Sequence, residues 1–432
     1  MNLSARSYWL AGLVTALGIL EQWYGARNAG LWRSAAAMII LALLVEGWAV
    51  RKLLLRLQRE GATRRILGRP FNAAWRLTNS SSRVVQVEIQ APLPVALTGP
   101  MEVLRLYVPA HGDQAQSFRA IPQKLGRHDW PDVYARVSGI FGLAWWPRRL
   151  ASGGPVVISP DYLHSAERGV GTRQLGELQR RRSGSGNELL LLRDYQPGDS
   201  LRLIDWKASA RSGKHMVRVF AEELHVELLI VIDAGRTSAL RAGALTRLGH
   251  VANSAARLAE QAILNGDRVG VVVFADTVIE SLPPLRGSAG LLRVRAVLER
   301  LESRARESNP LAATLHARRL ARQRCLVVVY SDIGEADAAG QLAKATALLT
   351  PKHLPLIAAL HEPEISALAA QPARDWLDPY ISYAACETLH NATLAAHRLR
   401  RLGAEVVQAA PTQLDAAVLG YYDRLRRRKR IG

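Results

Sequence analysis

Residues Val226 to Asp233 read VELLIVID, an apolar run that ends in a carboxylate. A strand that is buried on both faces has this composition, because neither face of a central parallel strand meets water. A helical pattern follows over residues 243–264. Further strand patterns alternate with helical ones, at residues 269–274, 325–330, 355–360 and 404–408. This alternation predicts an α/β domain over residues 224–432 with a doubly wound, mainly parallel sheet.

The stretch before this domain is rich in charge. Residues Gly184 to Arg211 read GSGNELLLLRDYQPGDSLRLIDWKASAR, and the pattern predicts a strand over 188–193, a Pro-Gly turn, and a short helix capped by Asp199 or Ser200. The candidate residues of this unit are Arg193, Asp194, Asp199, Arg202, Asp205, Trp206, Lys207 and Arg211. They form either a structural ion-pair network or a docking face for a partner. Three carboxylates without a convergent nucleophile make a poor hydrolase.

This charged stretch resembles the signature of a bacterial membrane-anchored family catalogued as domain of unknown function fifty-eight, most strongly at residues 193–211. The resemblance runs from about residue 60 to the end, and it implies that the C-terminal part is similar to a von Willebrand factor A domain. Members of this family commonly accompany MoxR-type AAA+ ATPases. The resemblance therefore implies a membrane-anchored adaptor or assembly factor with an AAA+ ATPase partner, and it implies no reaction.

The resemblance also implies a place for a metal ion. Von Willebrand A domains bind Mg²⁺ through a D-x-S-x-S loop after the first strand, a Thr from another loop, and an Asp after a later strand. The candidate metal residues are therefore Asp233, Thr237 and Asp332, and Thr314 is a candidate for the remote Thr.

The loop of this chain departs from that pattern. Gly235 stands where the first Ser belongs, and Arg236 adds a cation nearby. Mg²⁺ prefers near-octahedral oxygen ligation, so the loss of one hydroxyl removes a ligand. We therefore expect Mg²⁺ to bind poorly or not at all, and we expect no other cofactor. The alternative role of Asp233 and Asp332 is to cap helices and pair with arginines.

Two apolar segments open the chain, at residues 8–23 and 34–50. Their lengths and flanking aromatic residues predict a transmembrane hairpin. The resemblance implies that this hairpin lies in the bacterial inner membrane. Each segment carries one acid, Glu21 or Glu46, and Glu46 is expected to face the partner helix or lie near the interface. A cleaved signal peptide is the alternative, but no convincing cleavage site precedes Glu21. By the positive-inside rule, a basic run places the following domains in the cytoplasm: Arg51, Lys52, Arg56, Arg59, Arg64, Arg65 and Arg69.

Four regions follow from these patterns. Residues 1–60 form the two transmembrane helices and the basic juxtamembrane segment. Residues 61–161 contain short strand patterns between turns, which predicts a β-rich, sandwich-like domain. Residues 162–223 combine an arginine-rich polar connector with the charged turn-helix unit, and residues 224–432 form the α/β domain with a basic C-terminal helix.

The 432-residue chain has a formal net charge of +20, most of it from arginine. A GC-rich genome is one explanation of the preference for arginine over lysine, and attraction to nucleic acid or anionic lipid is the other. For the basic C-terminal helix, the functional hypothesis is contact with anionic lipid. The arginines match no nucleic-acid module, so we expect no nucleic-acid partner. Cys325 and Cys386 form no CxxC pair, which indicates a reducing compartment. We expect a protein that is not an enzyme; the alternatives are an enzyme that uses residues 184–211 and a basic nucleic-acid-binding protein.

Overall fold

The computed structural model describes residues 2–23, 31–100, 103–151, 154–162, 183–221 and 226–427. The chain forms two compact units, Met1–Ser159 and Pro160–Gly432. Most of the predicted connector, residues 163–182, and the end of the predicted basic tail, residues 428–432, lie outside the described residues.

The first unit combines two N-terminal helices with short strands. Its helices are α1 (Ala5–Trp23) and α2 (Leu31–Arg51). Its strands are β1 (Asn2–Leu3), β2 (Leu55–Glu60), β3 (Arg64–Ile66), β4 (Phe71–Asn79), β5 (Val85–Gln90), β6 (Leu97–Thr98), β7 (Val103–Val108), β8 (Asp113–Pro122), β9 (Gly126–Asp129), β10 (Val133–Ser138), β11 (Ala144–Ala151) and β12 (Pro155–Ser159). They form sheets of five (β1-β11-β10-β5-β7), four (β2-β4-β8-β6) and three strands (β3-β12-β9).

Alternating burial explains why these segments are strands. In β5 the side chains of Val85, Val87 and Ile89 are buried and the residues between them are not, which is the two-residue period of a pleated strand with one apolar face. The β4 residue Trp75 is buried as well, and its ring packs edge-on against Trp130 with centroids 5.7 Å apart. The β-like patterns of the sequence thus lie in strands that bury aromatic and aliphatic side chains.

The helices α1 and α2 expose large apolar side chains along much of their length. Trp9, Leu20, Met38 and Leu44 are each more than half exposed. Among the described residues, one helix is long and apolar enough to cross a membrane, Trp32–Arg51. Burying such side chains in hydrocarbon instead of water is favourable, so this surface is suited to lipid or to a further protein.

The acid of α2 is buried against the connection between β10 and β11. Glu46 is fully buried, and its Oε1 accepts a hydrogen bond from the Leu143 amide at 3.1 Å. Gly139 lies so close to Glu46 that no side chain would fit there. The carbonyl of Leu143 accepts a hydrogen bond from the Ser7 hydroxyl of α1. The connection between β10 and β11 therefore holds Glu46, and the start of α1 and the end of α2 meet at this connection.

The second unit alternates strands with helices. Its strands are β13 (Ser183–Asp194), β14 (Met216–Ala221), β15 (Glu227–Asp233), β16 (Arg241–Ala242), β17 (Leu245–Thr246), β18 (Arg268–Phe274), β19 (Val278–Leu285), β20 (Leu326–Tyr330), β21 (Leu354–Leu360) and β22 (Glu405–Ala409). Its helices are α3 (Trp206–Ser212), α4 (Arg247–Leu264), α5 (Gly287–Glu299), α6 (Pro310–Leu320), α7 (Ala336–Leu349), α8 (Pro363–Ala370), α9 (Asp378–Arg401) and α10 (Leu414–Arg427). Two short 3₁₀ helices span Leu201–Leu203 and Arg236–Ala239.

The six-stranded sheet of this unit has the order β19-β18-β15-β20-β21-β22. The pairs from β18 to β22 are parallel and β19 is antiparallel, so the prediction of a mixed α/β fold with parallel strands is confirmed. The run VELLIVID contains β15, and its residues from Leu228 to Asp233 are buried. One apolar core joins Leu229 and Val231 of this strand to residues of α6, α7 and α9.

Strand direction positions the candidate site. Because β15 and β20 are parallel neighbours, their carboxyl ends lie at the same edge of the sheet. Asp233 ends β15, and Asp332 follows β20 by two residues. We call this side of the sheet the carboxyl edge, and the side where β20, β21 and β22 begin the amino edge.

Candidate functional site at the carboxyl edge of the sheet

Asp233 is buried at the centre of the carboxyl edge. Its Oδ1 accepts hydrogen bonds from the Gly235 amide (2.9 Å) and the Ser308 hydroxyl (2.5 Å), and its Oδ2 accepts one from the Ser331 hydroxyl (2.8 Å). Burial raises the pKa of Asp233, because desolvation of the carboxylate outweighs these hydrogen bonds, which lower it. Neutral donors therefore surround this carboxylate.

Asp332 is held by a cation of the protein itself. Its Oδ2 lies 2.5 Å from Nη1 of Arg247, and its Oδ1 accepts a hydrogen bond from the Gly334 amide at 2.9 Å. The Nε of the same arginine lies 2.5 Å from Oε1 of Glu362. The guanidinium thus bridges two carboxylates that follow neighbouring strands, β20 and β21.

The first turn of α4 places this guanidinium. Arg247 is the first residue of the helix, and Thr246 caps it by accepting a hydrogen bond from the Gly249 amide. The Arg247 side chain is 16 % exposed, against 23 % for Asp332 and 11 % for Glu362. Burial alone would lower the pKa of Arg247, but the charges of the two acids raise it above its ordinary value. Arg247 therefore stays charged between the two acids.

A small cavity opens between these groups. Asp233, Thr237, Arg247, Ser331 and Asp332 line it, together with apolar residues of α4 and β21. Its volume is about 30 Å³, far below the roughly 300–1,000 Å³ of pockets that hold small-molecule ligands. A metabolite-sized substrate does not fit this cavity without rearrangement of its walls.

The three candidate metal residues come together, but their surroundings do not suit Mg²⁺. Asp233, Thr237 and Asp332 all line the cavity, as the sequence pattern predicts. Arg247 places a positive charge against Asp332, where a bound cation would need that carboxylate for itself. Among the described residues, no group of three or more His, Cys, Asp or Glu side chains could hold a metal ion. The donor set therefore fits an internal arginine better than an octahedral Mg²⁺.

Gly235 shows why the loop lacks its first hydroxyl. A Cβ atom at this position would lie 2.2 Å from Oγ of Ser308, so a serine there would collide with it. The connection between α5 and α6 brings Ser308 in, because the Arg236 amide donates to the Arg306 carbonyl at 2.8 Å. Of the two hydroxyls that reach Asp233, one thus comes from Ser308 and the other from Ser331, whereas Thr314 is buried inside α6.

The side chain of Arg236 points away from the cavity. Its guanidinium lies 2.8 Å from Glu307 and 2.8 Å from Glu335, and all three side chains are exposed. Arg236, which the sequence pattern predicts to compete with a metal ion, therefore does not lie in the site. The cation in the site is Arg247, which the sequence pattern does not single out.

The charged stretch folds as a hairpin with an inserted turn and helix, residues 183–221, which we call the signature unit. Arg193 makes a bidentate pair with Asp199, with distances of 2.8 and 2.7 Å. Asp199 also accepts a hydrogen bond from the Gln196 amide across the turn, and Gly198 takes the left-handed conformation (φ 107°) that this turn requires. The hydrogen bonds from Arg193 lower the pKa of Asp199. This pair therefore fixes the turn.

The expected cap of the short helix was placed too early. Asp205 caps α3, since its Oδ1 accepts a hydrogen bond from the Ala208 amide at 3.0 Å. Residues Leu201–Leu203 form a separate 3₁₀ turn before it, and Ile204 pairs with Val217 of β14. This bridge keeps Ile204 out of the short helix, which begins later than the sequence pattern predicts. Gly213 ends α3 in the left-handed conformation, with φ 69°.

The remaining candidate residues of the signature unit face solvent. Trp206 is 64 % exposed, and one edge of its ring contacts His215. Leu201 is 67 % exposed. Asp194, Arg202, Lys207 and Arg211 are exposed too. The unit thus contains two ion pairs, Arg193 with Asp199 and Asp205 with Arg218. It also carries exposed basic and apolar side chains, which we call the outward face: Leu201, Arg202, Trp206, Lys207 and Arg211.

A protein-family model matches the middle of the chain. Residues 192–364 match the family model described as "Protein of unknown function DUF58". This DUF58 region begins within the signature unit and ends just past Glu362, so it contains the outward face, Asp233, Arg247 and Asp332.

Other comparisons give distant likenesses. No curated protein matches the chain. The crystal structure of conserved hypothetical protein BatB from Bacteroides thetaiotaomicron is similar with 16% identity and a TM-score of 0.33, over 46% of this chain and 99% of that one. The CARDB domain of the PF1109 protein from Pyrococcus furiosus, a complex with di-metal ions, has 10% identity and a TM-score of 0.19, over 25% of this chain and 96% of that one. Likenesses at this level carry no argument about the DUF58 region.

Proposed function

We propose that the protein is a membrane-anchored adaptor or assembly factor that docks protein partners through the DUF58 region. The observation that carries the proposal is the Arg247 bridge between Asp332 and Glu362, at a cavity of about 30 Å³. Such an edge offers fixed, partly buried charges to a partner but no room for a substrate. Charged groups arranged in this way give specificity and fast association.

The best nucleophile–base pair of the described residues does not favour the enzymatic alternative. Sγ of Cys325 lies 3.2 Å from Nδ1 of His353, and both residues are buried. Burial raises the pKa of Cys325 to about 12 and lowers the pKa of His353 to about 4. A reactive cysteine needs a lowered pKa and access to substrate, so this pair is structural.

The fold supports the adaptor role. A doubly wound sheet similar to a von Willebrand factor A domain is our reading of the second unit, supported by its parallel strands and by the carboxylates at the carboxyl edge. A MoxR-type AAA+ ATPase is the proposed partner class, because the signature residues 193–211 resemble a family that accompanies such ATPases. The outward face of the signature unit supports this reading, since Trp and Arg are the residue types most enriched at interface hot spots.

The two N-terminal helices are the proposed anchor, as a hairpin with the domains in the cytoplasm. The start of α1 and the end of α2 meet at Leu143, which is the arrangement that a helical hairpin needs. Both helices expose apolar side chains. The basic residues that follow α2 agree with a cytoplasmic side.

A binding assay tests the adaptor role. Full-length protein in lipid nanodiscs is titrated with the MoxR-type AAA+ ATPase of the same organism, with nucleotide present. We expect Trp206→Ala to weaken binding at least about ten-fold, because an exposed Trp at the centre of a contact is a typical hot spot. Lys207→Glu with Arg211→Glu should slow association and reduce its salt dependence. Arg136→Glu on an exposed position of β10 is the matched charge control.

Two results would contradict the proposal. One is the absence of binding by the parent protein. The other is binding that Trp206→Ala and the double reversal leave unchanged, while circular dichroism shows the variants folded. An effect of Arg136→Glu as large as that of the double reversal would point to unspecific electrostatics.

A further inference from the structure

A projection rises from the carboxyl edge. It comprises α8 and the first part of α9, residues 363–387, and we call it the α8–α9 projection. Gly334 follows β20 closely, and a Cβ atom there would lie 3.1 Å from Cγ2 of Thr388, so Thr388 marks the level of the edge. The ten residues of α9 before it, from Asp378, rise about 15 Å further at 1.5 Å per residue.

The outer surface of this projection is aromatic. Trp376, Tyr380 and Tyr383 are 76, 69 and 72 % exposed. Tyr380 and Tyr383 are three residues apart and lie on one side of the first turns of α9, and Trp376 lies two residues before the helix. Ala385 is the first buried residue of α9. Three large rings are thus exposed to solvent at the start of α9, a helix that packs against α8.

The projection is also acidic. Residues 363–387 contain four acids (Glu364, Asp375, Asp378 and Glu387) and one base (Arg374), which gives a net charge of −3. The whole chain carries +20, so the rest of the chain carries +23. Such an acidic, aromatic surface is complementary in charge to a basic surface.

The opposite end of the same unit offers such a counterpart. Besides Arg400, which donates to the Val406 carbonyl, six exposed arginines lie at the amino edge, at the end of α6, before β20 and at the end of α9: Arg318, Arg319, Arg322, Arg324, Arg398 and Arg401. Within the part of the chain that the structure describes, none of the six forms an ion pair. Lys352 is committed elsewhere, because its Nζ donates to the carbonyls of Ala321 and Arg322.

We propose that the α8–α9 projection of one copy docks on the arginines of the amino edge of a second copy. Arginine is the residue whose side chain both pairs with carboxylates and stacks on Trp and Tyr rings, so the two surfaces match in charge and in aromatic chemistry. The second copy is the one source of this basic surface that the chain itself supplies. Because the contacting surfaces differ, the contact is head-to-tail, and it generates a ring or a chain of subunits.

Sedimentation of the full-length protein in detergent tests this contact. We expect self-association that rises with protein concentration and falls with salt. Trp376→Ala with Tyr380→Ala should weaken it about thirty-fold or more, as expected for two aromatic hot-spot residues. Tyr134→Ala is the control, because this tyrosine is similarly exposed (57 %) on β10 of the first unit.

A charge exchange decides which surfaces pair. Glu364→Arg with Glu387→Arg should weaken self-association, and so should Arg322→Glu with Arg324→Glu. A mixture of the two double variants should associate again, because the opposite charges then face each other. These four residues are exposed, so circular dichroism should show unchanged folding.

The alternatives are outcomes of the same experiment. A parent protein that stays monomeric at every concentration overturns the proposal. So does self-association that the aromatic and charge variants leave unchanged, or a mixture that fails to restore it. If the aromatic variants lose only binding to the AAA+ ATPase, the projection takes a different partner and the second copy is refuted, while the proposed adaptor role stands.

Discussion

Replacing Arg247 by Ser tests whether an internal arginine has taken the place of a cation at the carboxyl edge. The substitution leaves Asp332 and Glu362 without their shared partner, at 23 % and 11 % side-chain exposure. Breaking a buried ion pair by removing one side costs about 3–5 kcal/mol. Because these acids keep some contact with solvent, we expect a loss of about 2–4 kcal/mol in the free energy of unfolding.

The cavity that Arg247→Ser creates should admit a divalent cation. Asp233, Asp332, Ser331 and Glu362 would then present oxygen ligands to one space, which Mg²⁺ or Mn²⁺ prefers. A ligand at about one hundred times its Kd stabilises the native state by about 2.7 kcal/mol, so millimolar metal should recover much of the loss. The parent protein should show no such response, since its own guanidinium holds Asp332.

Chemical denaturation of the full-length protein in detergent, with Mg²⁺, with Mn²⁺ and with chelator, measures both effects. Arg236→Ser is the matched control, because this arginine also bridges two acids but is exposed. It should have a far smaller effect and give no metal response. A second Asp233→Asn substitution should abolish the metal response of Arg247→Ser. The reasoning fails if the parent titrates with millimolar Mg²⁺, or if metal does not restore the Arg247→Ser variant.

Three further predictions follow from single groups. Burial lowers the pKa of His353 to about 4, so the native state favours the neutral ring. About 1–3 kcal/mol of stability should therefore be lost as the pH falls from about 6.5 to 4. The His353→Gln variant should show a flatter dependence of stability on pH in this range. Asp205→Ala removes the α3 cap, so it should destabilise the signature unit more than Ser200→Ala does. Faster amide hydrogen exchange in the signature unit would show this difference. A reporter fused after Gly432 should be active only as a cytoplasmic fusion, and activity of a periplasm-dependent reporter there would contradict the hairpin.

The sheet could be predicted because its signal is local. The run VELLIVID and the strand patterns after it are short, apolar and rich in Val, Ile and Leu, and each one contains or overlaps a strand of the six-stranded sheet. The position of Asp233 and Asp332 at one edge follows from parallel pairing, which the alternation of strands and helices implies. The wrong cap of α3 shows the limit, since the bridge from Ile204 to β14 is a contact between strands that no helical pattern records.

The partners of the two acids could not be predicted, because they are distant in sequence. Ser308 lies 75 residues from Asp233, and Arg247 lies 85 residues from Asp332 and 115 from Glu362. A cap signal was present for each: Ser308 precedes the Asn-Pro start of α6, and Arg247 follows the Thr cap of α4. Such signals place a helix start but do not say which carboxylate the neighbouring side chain will meet.

Arg247 also fixes the position of the α8–α9 projection relative to the carboxyl edge. Glu362 precedes α8 directly, and its side chain makes no cap hydrogen bond with that helix. The ion pair with Arg247 is therefore what ties the start of α8 to the first turn of α4, while Asp332 ties the same guanidinium to the end of β20. A mobile divalent cation would make this link depend on metal concentration. A side chain of α4 makes it permanent, which suits a docking surface that must keep one shape under all conditions.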